Sequence, residues 1–121
     1  EYVIWLTTVG KDGTPQPRPV WFVPYNDDVL IYSQPKTSKV AHIRRQPQVS
    51  LHFNTDARGD ETVIVFTGLA KLDASVPAPD RISAYIDKYR QGILDLDYTV
   101  EQFTGAYVQA IRVELNSLRG W

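Results

Sequence analysis

Cysteine is absent from the 121 residues. Without thiols there is no disulfide, no thiolate metal site and no cysteine nucleophile. Histidine is scarce, with His42 and His52 alone, and no HExxH-type spacing occurs, so no metal centre is expected. An excess of one charge is lacking too. Thirteen Lys and Arg oppose fourteen Asp and Glu, the net charge is −1, and no long basic run exists. A nucleic-acid partner is therefore not expected. No apolar run approaches the ~20 residues that a membrane-spanning helix needs. No signal peptide is visible. The chain starts at Glu1 in a strand-like run, and a native segment preceding it is expected.

What is present is a foldable composition. Hydrophobic residues make up 43%, which argues against disorder, and the length suffices for one domain with a modest core, residues 1–121. Tyr2–Val9 is β-branched and aromatic, a predicted strand. Gly10 to Gly13 predicts a turn, and the pattern resumes at Gln16, which makes a hairpin. The second strand carries Pro15, Pro17, Pro19 and Pro24. Proline cannot donate to a ladder, so this strand must be an edge or bulged.

The chain is organised around Arg18–Pro47. The runs Pro19–Tyr25 and Val29–Gln34 predict two strands about a turn at Asn26–Asp28. Then Pro35-Lys36-Thr37-Ser38-Lys39 opens a helix over Ser38–Gln46 that Pro47 stops. Lysines are out of place in a first turn, where a cation facing the dipole costs roughly 0.3–1 kcal/mol. N–H groups, hydroxyls and ammonium groups converging there would suit an anion, and Thr37, Ser38 and Lys39 form a candidate phosphate site. The plainer alternative is an exposed turn in which Thr37 or Ser38 only caps the helix.

Further on, Val49, Leu51 and Phe53 alternate with Ser50 and His52, a half-buried strand with His52 as a solvated or cross-strand residue. Asn54–Asp60 predicts a polar loop, and Glu61–Leu72 the longest strand, with Gly68 as a bulge or close contact. Ile82, Tyr85, Ile86 and Tyr89 mark an amphipathic helix over Asp80–Tyr89, ended by Gly92. Thr99 and Gln102 read as a capping box for a short helix. Tyr107–Leu115 alternates as a last strand. The order β-β-β-α-β-β-α-α-β fits a small barrel, mainly β with α insertions.

No nucleophile–base pair or paired-carboxylate pattern is recognisable, so no catalytic side chain is assigned. A reactive centre would then belong to a cofactor that the protein orients. Lys39, Ser38 and Thr37 would hold its phosphate. The proline-laced strand Arg18–Trp21 would offer unpaired backbone groups to a flat ring. Tyr32 and Ser33 would line the space between. Ordinary packing is the alternative for Trp5, Trp21 and Tyr32.

The succession PRPVWF, DVLIYSQ, KTSKVAHIRRQPQVSLHF and TVIVFTGLAKL resembles the pyridoxamine 5′-phosphate oxidase-like superfamily over about residues 2–121. Within it, WLTTVGKDGTPQPRPVWF and the AIRVEL…RGW tail are most similar to the flavin/deazaflavin oxidoreductases of the coenzyme F-420-dependent B group. The resemblance implies the FMN-binding split β-barrel and a cytoplasmic homodimer with a cofactor site at the subunit interface. By position, Lys39 would hold the cofactor phosphate beside Thr37 and Ser38. Pro19, Val20 and Trp21 would face the deazaflavin ring, with Tyr32 and Ser33 on the next strand, and Trp121 could help close the partner's site. The implied activity is hydride transfer between coenzyme F-420 and a small organic acceptor. FMN in the same fold, or a binder without turnover, are the alternatives. The arginines and C-terminal substrate-phosphate motif of true pyridoxamine phosphate oxidases are missing, which speaks against vitamin B6 oxidation.

Overall fold

The computed structural model describes residues 2–53 and 64–120, with side chains as far as Leu115. The expected polar loop at Asn54–Asp60 and the residue Trp121 lie outside the described residues. Among these residues, seven strands form one antiparallel sheet: β1 (Val3–Val9), β2 (Pro15–Trp21), β3 (Val23–Tyr25), β4 (Asp28–Ser33), β5 (Gln48–Phe53), β6 (Ile64–Leu72) and β7 (Gln109–Gly120). Helix α1 (Ser38–Arg45) follows β4, while α2 (Ser83–Asp95) and α3 (Val100–Ala106) lie between β6 and β7.

The strand order is β2-β1-β5-β6-β7-β4-β3. The two edges, β2 and β3, are successive pieces of one chain, separated only by Phe22. A sheet whose opposite edges are joined by a single residue must curl, and the result is the split β-barrel. The run Pro19–Tyr25, expected as one strand, is thus divided between the two edges. Its prolines explain why one piece can sit at the rim. Pro15, Pro17 and Pro19 pair with Val9, Thr7 and Trp5 in an unbroken register. Alternate residues of a strand present their N–H groups to the same side, so all three missing donors face away from β1.

Residue parity along the strands sorts the core. Ile4, Leu6, Phe22, Ile31, Leu51, Ile111 and Val113 fill the barrel with α1 residues Val40 and Ile43. The opposite parity, Val23, Leu30, Tyr32 and Ala110, faces a second cluster with Tyr85, Tyr89, Ile93 and Phe103 from α2 and α3. Strand β4 contributes to both clusters, which is why Leu30–Ser33 is buried without interruption.

Local devices match their residues. Gly13 takes φ +86° in the β1–β2 turn, and Asn26 takes φ +52° in the β3–β4 turn. The ladder between β6 and β7 shifts register at Thr67/Gly68, where a Cβ on Gly68 would strike the Glu114 carbonyl. The Thr99–Gln102 capping box is present in both directions, at 2.9 and 3.0 Å. His52 stacks on Trp5 across the β1–β5 pair at 6.1 Å, the cross-strand role expected.

The bounds of α2 and of the last strand differ from the sequence pattern. Pro79–Arg81 forms a 3-10 turn, and α2 begins only at Ser83. The helix then runs through Gly92 to Asp95 instead of ending at that glycine. Gly92 is a contact point: a Cβ there would collide with the Tyr2 hydroxyl and lie 2.9 Å from Trp21 Cζ2. The last strand also begins two residues later than expected and continues past Leu115 to Gly120.

Candidate functional site

The break at Phe22 is held by α2. The Tyr89 hydroxyl accepts from the Phe22 N–H at 2.8 Å and has the carbonyls of Tyr2 and Phe22 within 2.6 and 2.9 Å. Lys88 donates to the Phe22 carbonyl at 3.0 Å and covers the Phe22 ring at 3.8 Å. The Trp21 ring, just before the break, stacks on Tyr89 at 4.6 Å and 8°. This fixes the end of β2 against the helices.

Between them lies a cavity of about 220 Å³. Its sheet side is Pro19, Val20, Trp21 and Tyr32, with Lys39 from the first turn of α1. Its helix side is Tyr85, Leu96, Phe103 and Tyr107. The structure therefore brings together five of the eight residues singled out in the sequence. Ser33, Thr37 and Ser38 do not line the cavity. Ser33 is fully buried and donates to the Gln34 carbonyl at 2.8 Å, with Thr37 Oγ1 3.2 Å from its hydroxyl. Thr37 caps α1 by accepting from Val40 N–H at 3.5 Å. These two hydroxyls build the turn that aims Lys39, and Ser38 is exposed beside it.

Lys39 is half-buried, and burial pulls its ammonium pKa below the ordinary lysine value, with the Arg18 charge adding to the effect. Arg18, expected only to offer backbone groups as part of the strand Arg18–Trp21, brings a side chain that the sequence reading does not use. Its Nε is buried without a hydrogen-bond partner among the described residues, and its only direct side-chain bond there is a 3.4 Å contact to Gln16. Neither cation belongs to an ion pair among the described residues; the pairs found there are Lys71–Glu114, Arg112–Asp28 and Arg112–Asp73. His42 is on the same side. It is buried, its Nδ1 lies 2.9 Å from Thr8 Oγ1, and burial with Arg18 and Arg45 holds it below the usual histidine pKa. Among the described residues the locus thus carries two cations outside any ion pair and an orphaned donor, and an anion would satisfy both.

The aromatic wall is ordered. Tyr107 stacks on Phe103 at 4.2 Å and 10°, and Phe103 packs near Trp21 at 5.8 Å. Tyr32 is edge-on to Tyr85 at 5.0 Å, donates its hydroxyl to the Pro77 carbonyl, and is pushed up to about 12 by burial. Phenols so placed stay protonated. The arrangement can hold a flat ring next to an anionic group, while no side-chain pair in it forms a nucleophile with its base. Helical spacing puts Tyr85 on the apolar face of its helix, and Phe103 is not singled out by the sequence. That spacing does not tell a residue packed against the sheet from one packed against a cavity.

No curated protein matches the chain. Solved structures with the same fold include the conserved hypothetical protein Rv2991 of Mycobacterium tuberculosis, at TM-score 0.75 and 20% identity, covering 100% of this chain and 77% of that one. An F420 reductase superposes at TM-score 0.70 and 21% identity over 98% of this chain and 89% of its own. A heme binding protein from Mycobacterium smegmatis reaches TM-score 0.67 and 15% identity over 99% of this chain and 48% of its own. Relatives this distant share the fold, and their different ligands show that the fold alone does not choose one. The sequence profile of the pyridoxamine 5′-phosphate oxidase family matches residues 1–112, and the chain belongs to that family.

Proposed function

We propose that the protein is an oxidoreductase that transfers a hydride between coenzyme F-420 and a small organic acceptor. The observation that carries this reading is Lys39 set against an aromatic wall in one cavity, with the Arg18 charge, whose buried Nε has no partner among the described residues, acting on Lys39 from the neighbouring strand. A phosphate-bearing flat cofactor meets both halves of that pairing. The residues fit such a group: Lys39 and Arg18 would hold the phosphate, and Pro19, Val20 and Trp21 would lie along the ring. When bound, the deazaflavin supplies the hydride chemistry that no side chain here supplies.

The chain's own part is binding and positioning. The Ser33–Thr37 turn fixes the direction of Lys39. The stacked Trp21, Tyr89 and Phe103 rings keep the wall flat and exclude water from one side of the cavity. A homodimer is part of the same reading, supported by the half-buried Trp5–His52 stack on the strand face opposite Leu6 and Leu51. FMN presents the same phosphate and a similar ring, so it is the second reading.

Fluorescence titration with coenzyme F-420 and separately with FMN tests the assignment. Selective binding of the deazaflavin, followed by turnover with an acceptor panel, is the expected result. Selective FMN binding transfers the reading to the flavin. Binding of one cofactor without turnover of any acceptor reduces it to a carrier, and binding of neither overturns it.

A further inference from the structure

Three tyrosines are buried where the sheet meets α2: Tyr32 at 5% exposure, Tyr85 at 1% and Tyr89 at 0%. Two of them spend their hydroxyls on the main chain. Tyr32 donates to the Pro77 carbonyl, and Tyr89 bridges Phe22 and Tyr2. Tyr85 differs. Its ring is enclosed by Tyr32 at 5.0 Å, Tyr89 at 4.9 Å and Phe103 at 6.2 Å, yet its hydroxyl has no hydrogen bond among the described residues. It is also part of the wall of the cavity that holds Lys39. The hydroxyl is not among the enclosed polar atoms without a partner, so it opens onto the cavity, and a phenylalanine would fill the same box of rings equally well. The hydroxyl therefore adds nothing to the packing.

We infer that the Tyr85 hydroxyl is a binding group of the cavity, donating a hydrogen bond to an exocyclic oxygen on the ring of the bound molecule. The inference rests on the proposed function and deepens it. It requires a ligand with an anionic group toward Lys39 and Arg18 and a carbonyl-type oxygen on a flat ring toward α2. A purely apolar ring leaves both donors unmet. Burial raises the Tyr85 pKa far above that of an ordinary tyrosine, with the neighbouring Tyr89 and Tyr32 adding to it. The group therefore remains a donor at every working pH and does not serve as a phenolate base.

The test is Tyr85→Phe in the full chain, with thermal unfolding of the ligand-free protein and titration with coenzyme F-420 and FMN. A hydroxyl that serves the ligand predicts an unfolding midpoint equal to or above that of the wild type. It also predicts binding of the preferred cofactor weakened about 5- to 10-fold, the size of one lost hydrogen bond. The bound cofactor's absorption band should shift as well, since a donor to its ring oxygen is gone. A lowered ligand-free midpoint shows that the hydroxyl is structural and overturns the inference. Unchanged affinity and an unchanged band in a protein whose wild type binds overturn the inference alone. Binding of neither cofactor by the wild type removes the proposed function and the inference with it.

Discussion

The barrel interior and the aromatic layer under α2 are built from the same strands by opposite parity, and they differ in kind. The barrel cluster is almost entirely aliphatic, with Ile4, Leu6, Leu51, Ile111 and Val113 at 1% exposure or less. The layer under α2 is dominated by Trp21, Tyr32, Tyr85, Tyr89 and Phe103, and a cavity borders it. Aliphatic side chains fill space without polar demands. Each tyrosine brings a hydroxyl that must be matched by main chain, water or ligand. One half of the molecule holds the fold closed, and the other holds groups whose partners define a site.

The largest effect that would sharpen this contrast belongs to the barrel. Leu6→Ala or Ile111→Ala removes a side chain with 0% exposure and is expected to cost about 2–5 kcal/mol in urea unfolding. A loss below about 1 kcal/mol at both sites would contradict a close-packed barrel. Next comes Tyr89→Phe, which strips the Phe22 N–H of its partner at the break between the sheet's edges. Its expected cost is about 1–3 kcal/mol, and no loss would mean that the latch is redundant. Gly92→Ala follows. In a free helix this change gains up to about 1 kcal/mol, so a net loss of about 1 kcal/mol with altered tryptophan fluorescence reports the clash with Trp21. A stabilised variant would return Gly92 to a passive role.

The smallest effect is that of pH. His42 is held below its ordinary pKa in the fold by burial and by Arg18 and Arg45. The unfolded chain therefore takes up a proton first. Stability contributed by neutral His42 is present above the unfolded pKa of about 6.5 and is lost as pH falls below it. His42→Asn should flatten the decline of the unfolding midpoint between about pH 7.5 and 5.5. An identical decline in the variant would place the titrating group elsewhere.

Much of the frame was legible in the sequence, for local reasons. Alternate prolines announce an edge strand, Gly68 a bulge, and Thr99 with Gln102 a helix start. Each of these is a property of a few neighbouring residues. The lysine out of place at the first turn of α1 pointed to the cavity, and Pro19, Val20, Trp21 and Tyr32 do meet it there. What the sequence did not disclose is set by distant contacts. Gly92 sits inside the helix as a contact point, because Trp21 of β2 and Tyr2, just before β1, approach too closely for a Cβ there. Arg18 matters because its Nε is buried without a partner and its charge acts on Lys39 and His42, residues more than twenty positions away. The division at Phe22 follows from closure of the sheet, which no local pattern encodes.

The central claim is that Lys39 holds the phosphate of a ring-bearing cofactor. It is tested most directly by titrating the wild type and Lys39→Ala with that cofactor and with its phosphate-free counterpart. These are FMN against riboflavin, or coenzyme F-420 against its dephosphorylated ring compound. The account predicts that the wild type prefers the phosphorylated form and that Lys39→Ala loses roughly 10- to 100-fold for that form alone. Equal losses for both forms, or none for either, would contradict it.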